Sequence, residues 1–167
     1  MESPALNAAI DLEQSGYAYY REVAERAENP LTARLFSSLA AQELEHIQRA
    51  RELYAAAGEP VVHASDTDLE ADVKKFFRQF AKEQRQDWKM DNAEAYERAM
   101  ELEKQGYDMY AKFAAEARDE REAAFFKALQ REEEGHLEAL ENVYAYFAQS
   151  KDWQHEDERT TWNWMNL

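Results

Sequence analysis

The chain has 167 residues, a formal net charge of −15, 45% hydrophobic and 33% charged residues, only 4 Gly and 3 Pro, and no cysteine. That length and balance fit one soluble, mostly helical domain with a real core rather than a disordered chain. The acidity disfavours nucleic acid and anionic membranes as partners. The missing thiols exclude disulfides, thiolate zinc sites, cysteine nucleophiles and rubredoxin-type centres from these residues, so any metal must be held by His and carboxylates. No apolar run approaches the ~20 residues of a membrane span. The opening Met-Glu-Ser-Pro-Ala lacks the basic and apolar regions of a signal peptide, and the expectation is a cytoplasmic protein.

Ser3 followed by Pro4 predicts a helix start, a capping hydroxyl with proline at the first helical position. Its inward stripe reads Ile10, Tyr17, Tyr20, Ala24 and Ala27 at three-four spacing. Asn29 and Pro30 restart a second helix with Phe36, Leu39, Glu43, His46, Ala50 and Leu53 inward, ending at Gly58 with Pro60 beyond. Thr67 and Glu70 form a capping-box signature for a short amphipathic helix presenting Leu69, Val73, Phe76, Phe77 and Phe80. Asp91 with Glu94 starts a third long helix, with Met100, Glu103, Tyr107, Tyr110, Ala114 and Ala117 inward. A turn near Asp119 leads to a fourth, with Phe126, Leu129, Glu133, His136, Leu140 and Val143 inward. The tail after Ser150 is polar but carries Trp153, Trp162 and Trp164.

A shift of 90 residues superposes Leu12-Glu13 on Leu102-Glu103, Gly16-Tyr17 on Gly106-Tyr107, Tyr20 on Tyr110 and Phe36 on Phe126, without a gap. The fold expected is all-α: a four-helix bundle of two repeated helical hairpins related by a pseudo-two-fold axis. Hairpin one covers about 4–58, a crossover with the short helix about 59–91, and hairpin two about 92–149. Residues 1–150 thus form the bundle and 151–167 a Trp-bearing tail. The roughly 30-residue crossover is long enough to run the ~40 Å length of such helices. Its Phe-rich helix either covers a bundle face or forms a dimer contact.

The same shift places Glu43-Leu-Glu-His46 on Glu133-Glu-Gly-His136, each a Glu and a His three residues apart on one helix face. Glu13 and Glu103 precede them by the same 30 residues, level with Glu43 and Glu133 across each hairpin. All six stand at stripe positions that packing alone would give to Leu or Ile. One Glu-x-x-His in so acidic a chain is weak evidence; a matched pair with matched upstream partners points to a two-metal site. Two unit charges ~5 Å apart repel by about 3 kcal/mol even at an effective dielectric of 20, so four carboxylates in a dry layer must bind cations or take up protons. Four Glu and two His suit iron, or manganese, better than calcium or structural zinc. Symmetry makes Glu43 and Glu133 bridging and Glu13 and Glu103 terminal, leaving open positions for oxygen or peroxide. Tyr17, Tyr20, Tyr107 and Tyr110 follow the upstream glutamates. Aromatic packing is favoured for them over hydrogen bonding to the ligands. His63 and His155, outside both repeats, read as surface residues.

These residues resemble the rubrerythrin branch of the ferritin-like superfamily, over about 5–57 and 92–149. The resemblance implies a ferritin-like bundle with a non-haem di-iron centre, often a homodimer, and an oxidoreductase of peroxidase or ferroxidase type acting in oxidative stress. It implies two iron ions on Glu13, Glu43, His46, Glu103, Glu133 and His136, with manganese or zinc as substitutes. Two departures stand out. Typical members carry a four-cysteine rubredoxin domain, which these residues lack, so the electron donor is expected to be a separate protein. They also carry an extra Glu, to which iron moves on reduction, where this chain has Gly106, mirrored by Gly16. The ligand set is therefore closer to bacterioferritin's four Glu and two His. Iron storage or delivery, and a helical interaction module with structural metals, are the alternative functions.

Overall fold

A computed structural model describes residues 4–55, 68–85 and 88–149. Its helices are α1 (Pro4–Arg26), α2 (Pro30–Ala55), α3 (Leu69–Phe77), α4 (Lys82–Arg85), α5 (Ala93–Ala115) and α6 (Glu120–Gln149), with no strand among the described residues. Helix α1 packs along α2 and α5 along α6, and the two hairpins meet through α1–α5 and α2–α6 contacts. This is the all-α four-helix bundle of two hairpins expected from the repeat. Gly58, Pro60, His63, Thr67, Ser3 and the whole tail, including Trp153, His155, Trp162 and Trp164, lie outside the described residues. None of the described helices is long and apolar enough to cross a membrane.

The stripes of α2 and α6 are those the spacing predicted: Phe36, Leu39, Ala50, Leu53, Phe126, Leu129, Leu140 and Val143 are buried with the four Glu and His between them. The stripes of α1 and α5 are rotated from the expected ones. The fully buried residues are Leu6, Ala9, Glu13, Gly16 and Tyr20 on α1, and Ala95, Tyr96, Ala99, Leu102, Glu103, Gly106 and Tyr110 on α5. Ile10, Tyr17, Ala24, Ala27, Met100, Tyr107, Ala114 and Ala117 are only half-buried. Gly16 and Gly106 stand on the buried face where α1 and α5 pass the paired carboxylates closely, interspersed with the large Tyr20, Tyr96 and Tyr110, so side-chain size alone does not mark it.

Caps also sit one residue from where the sequence suggested. Asp68, rather than Thr67, caps α3 by accepting from the Ala71 amide at 3.1 Å. Asn92, rather than Asp91, caps α5 by accepting from Ala95 at 3.1 Å. Asp91 instead accepts from the amides of Glu28 and Asn29 at 2.7 and 3.0 Å, tying the end of the crossover to the first hairpin turn. Asn29 caps α2 and Asp119 caps α6, as the turns required.

Helix α3 lies across α2 and α6, seating Leu69, Val73 and Phe77 in the main core. Its Asp72 accepts from Ser38 at 2.6 Å and ion-pairs with Arg34. The crossover helix therefore covers a face of its own bundle. Two apolar clusters result, one around Phe36, Tyr96 and Leu140 and the other around Ala9, Phe126 and Leu129.

Candidate metal centre

The layer that carries Glu13, Glu43, His46, Glu103, Glu133 and His136 is dry, each residue being at most 3% exposed. Helix α1 supplies Glu13, α2 Glu43 and His46, α5 Glu103, and α6 Glu133 and His136. Their donor atoms form two overlapping groups, each within 4.8 Å: Glu13, Glu43, His46 and Glu133, and Glu43, Glu103, Glu133 and His136. Glu43 and Glu133 belong to both groups. The two imidazoles stack with ring centres 5.5 Å apart and planes 9° from parallel.

Reciprocal contacts express the internal repeat. His46 Nδ1 lies 3.3 Å from Glu13, and His136 Nδ1 lies 3.2 Å from Glu103. Tyr20 on α1 donates its hydroxyl to Glu103 at 2.5 Å, and Tyr110 on α5 donates to Glu13. Tyr20 and Tyr110 therefore do more than pack, against expectation: each also supports a ligand candidate, reaching the upstream Glu of the opposite hairpin. Tyr17 and Tyr107 remain half-buried, and among the described residues no hydrogen bond joins either to the six.

Without a cation the layer is electrostatically frustrated. Burial, then the charges of Glu103 and Glu13, push the Glu133 carboxyl well above the usual carboxylate range. Its Oε1 is buried without a hydrogen-bond partner, His46 Nδ1 standing 3.4 Å away. Burial works to lower His46, but Glu13's charge and the surrounding carboxylates hold it well above the ordinary histidine value. Burial works to raise Glu103, but His136 holds it below the usual range. Burial, then the neighbouring carboxylates, push both Tyr20 and Tyr110 upward, so their hydroxyls stay protonated as donors.

Two divalent ions would balance four carboxylates, and the orphaned Glu133 oxygen is the kind of buried acceptor a cation satisfies. The donor set fits such a pair. The glycines fit as well. A Cβ on Gly106 would stand 2.8 Å from Glu133 Oε2, and one on Gly16 would stand 3.4 Å from Glu43 Cδ. Each glycine thus makes room for a carboxylate shared by the two groups. The space an extra Glu would need at 106 is already taken.

Residues with no part in the sequence argument complete the centre. His46 Nε2 faces Glu132 Oε2 at 2.9 Å, and Arg49 grips the same carboxylate at 2.7 and 3.0 Å. Burial would raise Glu132, but His46 and Arg49 bring it down to about 2. On the other side His136 Nε2 faces Gln42 Oε1 at 2.6 Å. These acceptors fix both rings with Nε2–H pointing outward and Nδ1 toward the carboxylates, the tautomer a metal needs. The available signal was the repeat: Gln42 and Glu132 are mates, each immediately before a shared Glu.

No curated protein and no solved structure matches the chain significantly. The sequence model of the Rubrerythrin family matches residues 5–144, which span both hairpins and the whole centre; the chain belongs to the rubrerythrin family.

Proposed function

We propose that this protein is a di-iron oxidoreductase that reduces hydrogen peroxide or oxygen, drawing electrons from a separate donor protein. The carrying observation is the pair of overlapping buried donor groups sharing Glu43 and Glu133. In this reading Glu43 and Glu133 would be held in common by the two ions, Glu13 with His46 and Glu103 with His136 would complete the two positions, and manganese or zinc could replace iron. Bound there, two ferrous ions would supply the two electrons that, with two protons, convert hydrogen peroxide to two waters.

The chain's own residues do the rest. Tyr20 and Tyr110 hold Glu103 and Glu13 through their hydroxyls, so the terminal carboxylates are oriented before a metal arrives. Glu132 and Gln42 hold the rings. A cavity of about 10 Å³, bounded by Leu12, Gly16, Leu102 and the glutamates, lies against the carboxylates and is about the size of one water molecule. Bulky substrates are disfavoured by that size. The lack of cysteine, and so of a rubredoxin-type centre in these residues, supports a separate electron donor.

Protein loaded anaerobically with Fe(II) should hold two ions per chain. Adding one peroxide per two ions should then produce near-ultraviolet ferric absorption. Bound iron that peroxide leaves ferrous overturns the reading; uptake of many more ions per chain favours storage. Sedimentation would separate the expected homodimer from a storage shell.

A further inference from the structure

We propose that the two metal positions are inequivalent, the His46 position filling first, because a carboxylate backs one imidazole and a neutral amide backs the other. The inference rests on the two-metal reading above and adds an order of loading to it. Positions 42 and 132 are repeat mates, and each reaches across to the histidine of the opposite hairpin. The scaffold is thus symmetric where the chemistry is not: His46 donates to Glu132, and His136 donates to Gln42.

The asymmetry extends one step further out. Arg49 is 7% exposed and binds Glu132 through its two terminal guanidinium nitrogens, holding that carboxylate as a fixed anion. Its repeat mate is Ala139, fully buried and without charge. The charges of Arg49 and Glu132 largely cancel at the metal, so the difference lies in the hydrogen bond itself. An anionic acceptor draws the Nε2 proton more strongly than an amide oxygen and makes Nδ1 the better donor to a cation. Losing such an outer partner typically costs 10- to 100-fold in metal affinity. Exchanging it for a weaker acceptor belongs at the lower end, roughly tenfold.

Glu132 and Gln42 are accordingly positioning residues, acting through the imidazoles, and occupancy reads their effect more directly than turnover. Crystals of the full chain with less than one equivalent of Mn(II), and no iron, should show anomalous density at the His46 position roughly tenfold above that at the His136 position. Gln42→Glu should bring the two toward equality by strengthening the weaker side. The double variant Glu132→Gln, Arg49→Ala should also equalise them, by copying the Gln42 and Ala139 pair without stranding a buried guanidinium. Equal occupancy in the unaltered protein, or a preference that survives both variants, overturns the proposal and leaves the two-metal reading intact. Mn(II) at neither position overturns that reading itself.

Discussion

Alanine substitutions at the two repeat-related glycines offer a matched pair with opposite expectations. Both glycines are buried inside long helices, so each alanine gains about 0.5–1 kcal/mol of helix propensity. The difference lies in what the new methyl meets. At position 16 its nearest neighbours are Glu43 Cδ, Cγ and Oε1 at 3.4, 3.5 and 3.6 Å, ordinary contacts. At position 106 they are Glu133 Oε2, Cδ and Cγ at 2.8, 3.1 and 3.4 Å, so the carboxylate must retreat. In the metal-free protein that carboxyl can rotate, and Gly106→Ala should stay within about 1 kcal/mol of the parent. If it is shared by two ions, as proposed, it cannot rotate without breaking a bond, and overpacking of about 1–3 kcal/mol falls on binding, some 5- to 150-fold in affinity. Gly16→Ala should bind metal within about threefold of the parent and unfold slightly later. Calorimetric titration with Mn(II), beside denaturant unfolding of the metal-free forms, measures both quantities. Equal metal affinities for the two variants would refute the idea that position 106 is kept open for a bridging carboxylate.

Metal uptake should release protons, since Glu133 lies well above the carboxylate range and His46 well above the histidine range in the metal-free centre. Titrations in buffers of different ionisation enthalpy should reveal one to two protons, and none would contradict the assignment. The stability of the metal-free protein should fall as pH rises beyond 4.5, where unfolded Glu ionises while folded Glu133 resists. His46 adds to this: its contribution is complete below 6.5 and lost as pH climbs through its raised folded value. Glu132 acts oppositely, its contribution present above 4.5 and lost as pH falls toward about 2, so thermal unfolding should be latest in weak acid. Tyr20→Phe strips Glu103 Oε1 of its hydroxyl donor and should cost about 1–3 kcal/mol in denaturant unfolding. Gly135→Ala meets open space in an exposed stretch of α6 and should add about 0.5–1 kcal/mol with metal binding unchanged.

The six donors were legible because two signals coincided: Glu-x-x-His spacing on a helix and a gap-free repeat of the whole hairpin. Periodicity worked best on α2 and α6, where large apolar residues flank the ligands on one face. It failed on α1 and α5, where Gly16, Gly106, Ala9 and Ala99 form the closest face and the bulky Tyr17, Tyr107 and Met100 stand at its edge. Hydrophobic patterning weighs side-chain size, whereas close approach to a shared carboxylate selects for its absence. Gln42, Glu132 and Arg49 escaped for another reason. In sequence they resemble any polar residues of an acidic helix, and only the pairing of α2 with α6 brings Gln42 and Glu132 next to the opposite hairpin's imidazole and Arg49 onto Glu132.

The electrostatics of the layer also explain how the bundle can be built before it is loaded. Four ionised carboxylates at these separations could not share a dry core, at about 3 kcal/mol of repulsion per pair. The metal-free protein lessens the problem with protons: those that upward shifts favour on Glu133 and on His46, and those that the hydroxyls of Tyr20 and Tyr110 donate to Glu103 and Glu13. Each of the first two occupies an atom that a metal would otherwise bind, so loading exchanges protons for cations. The tyrosines are spared in that exchange, because their raised values keep the hydroxyl protons in place while the carboxylates lose theirs. Glu13 and Glu103 therefore keep one oxygen tied to a tyrosine and present the other inward, a geometry that suits the terminal-ligand role proposed for them.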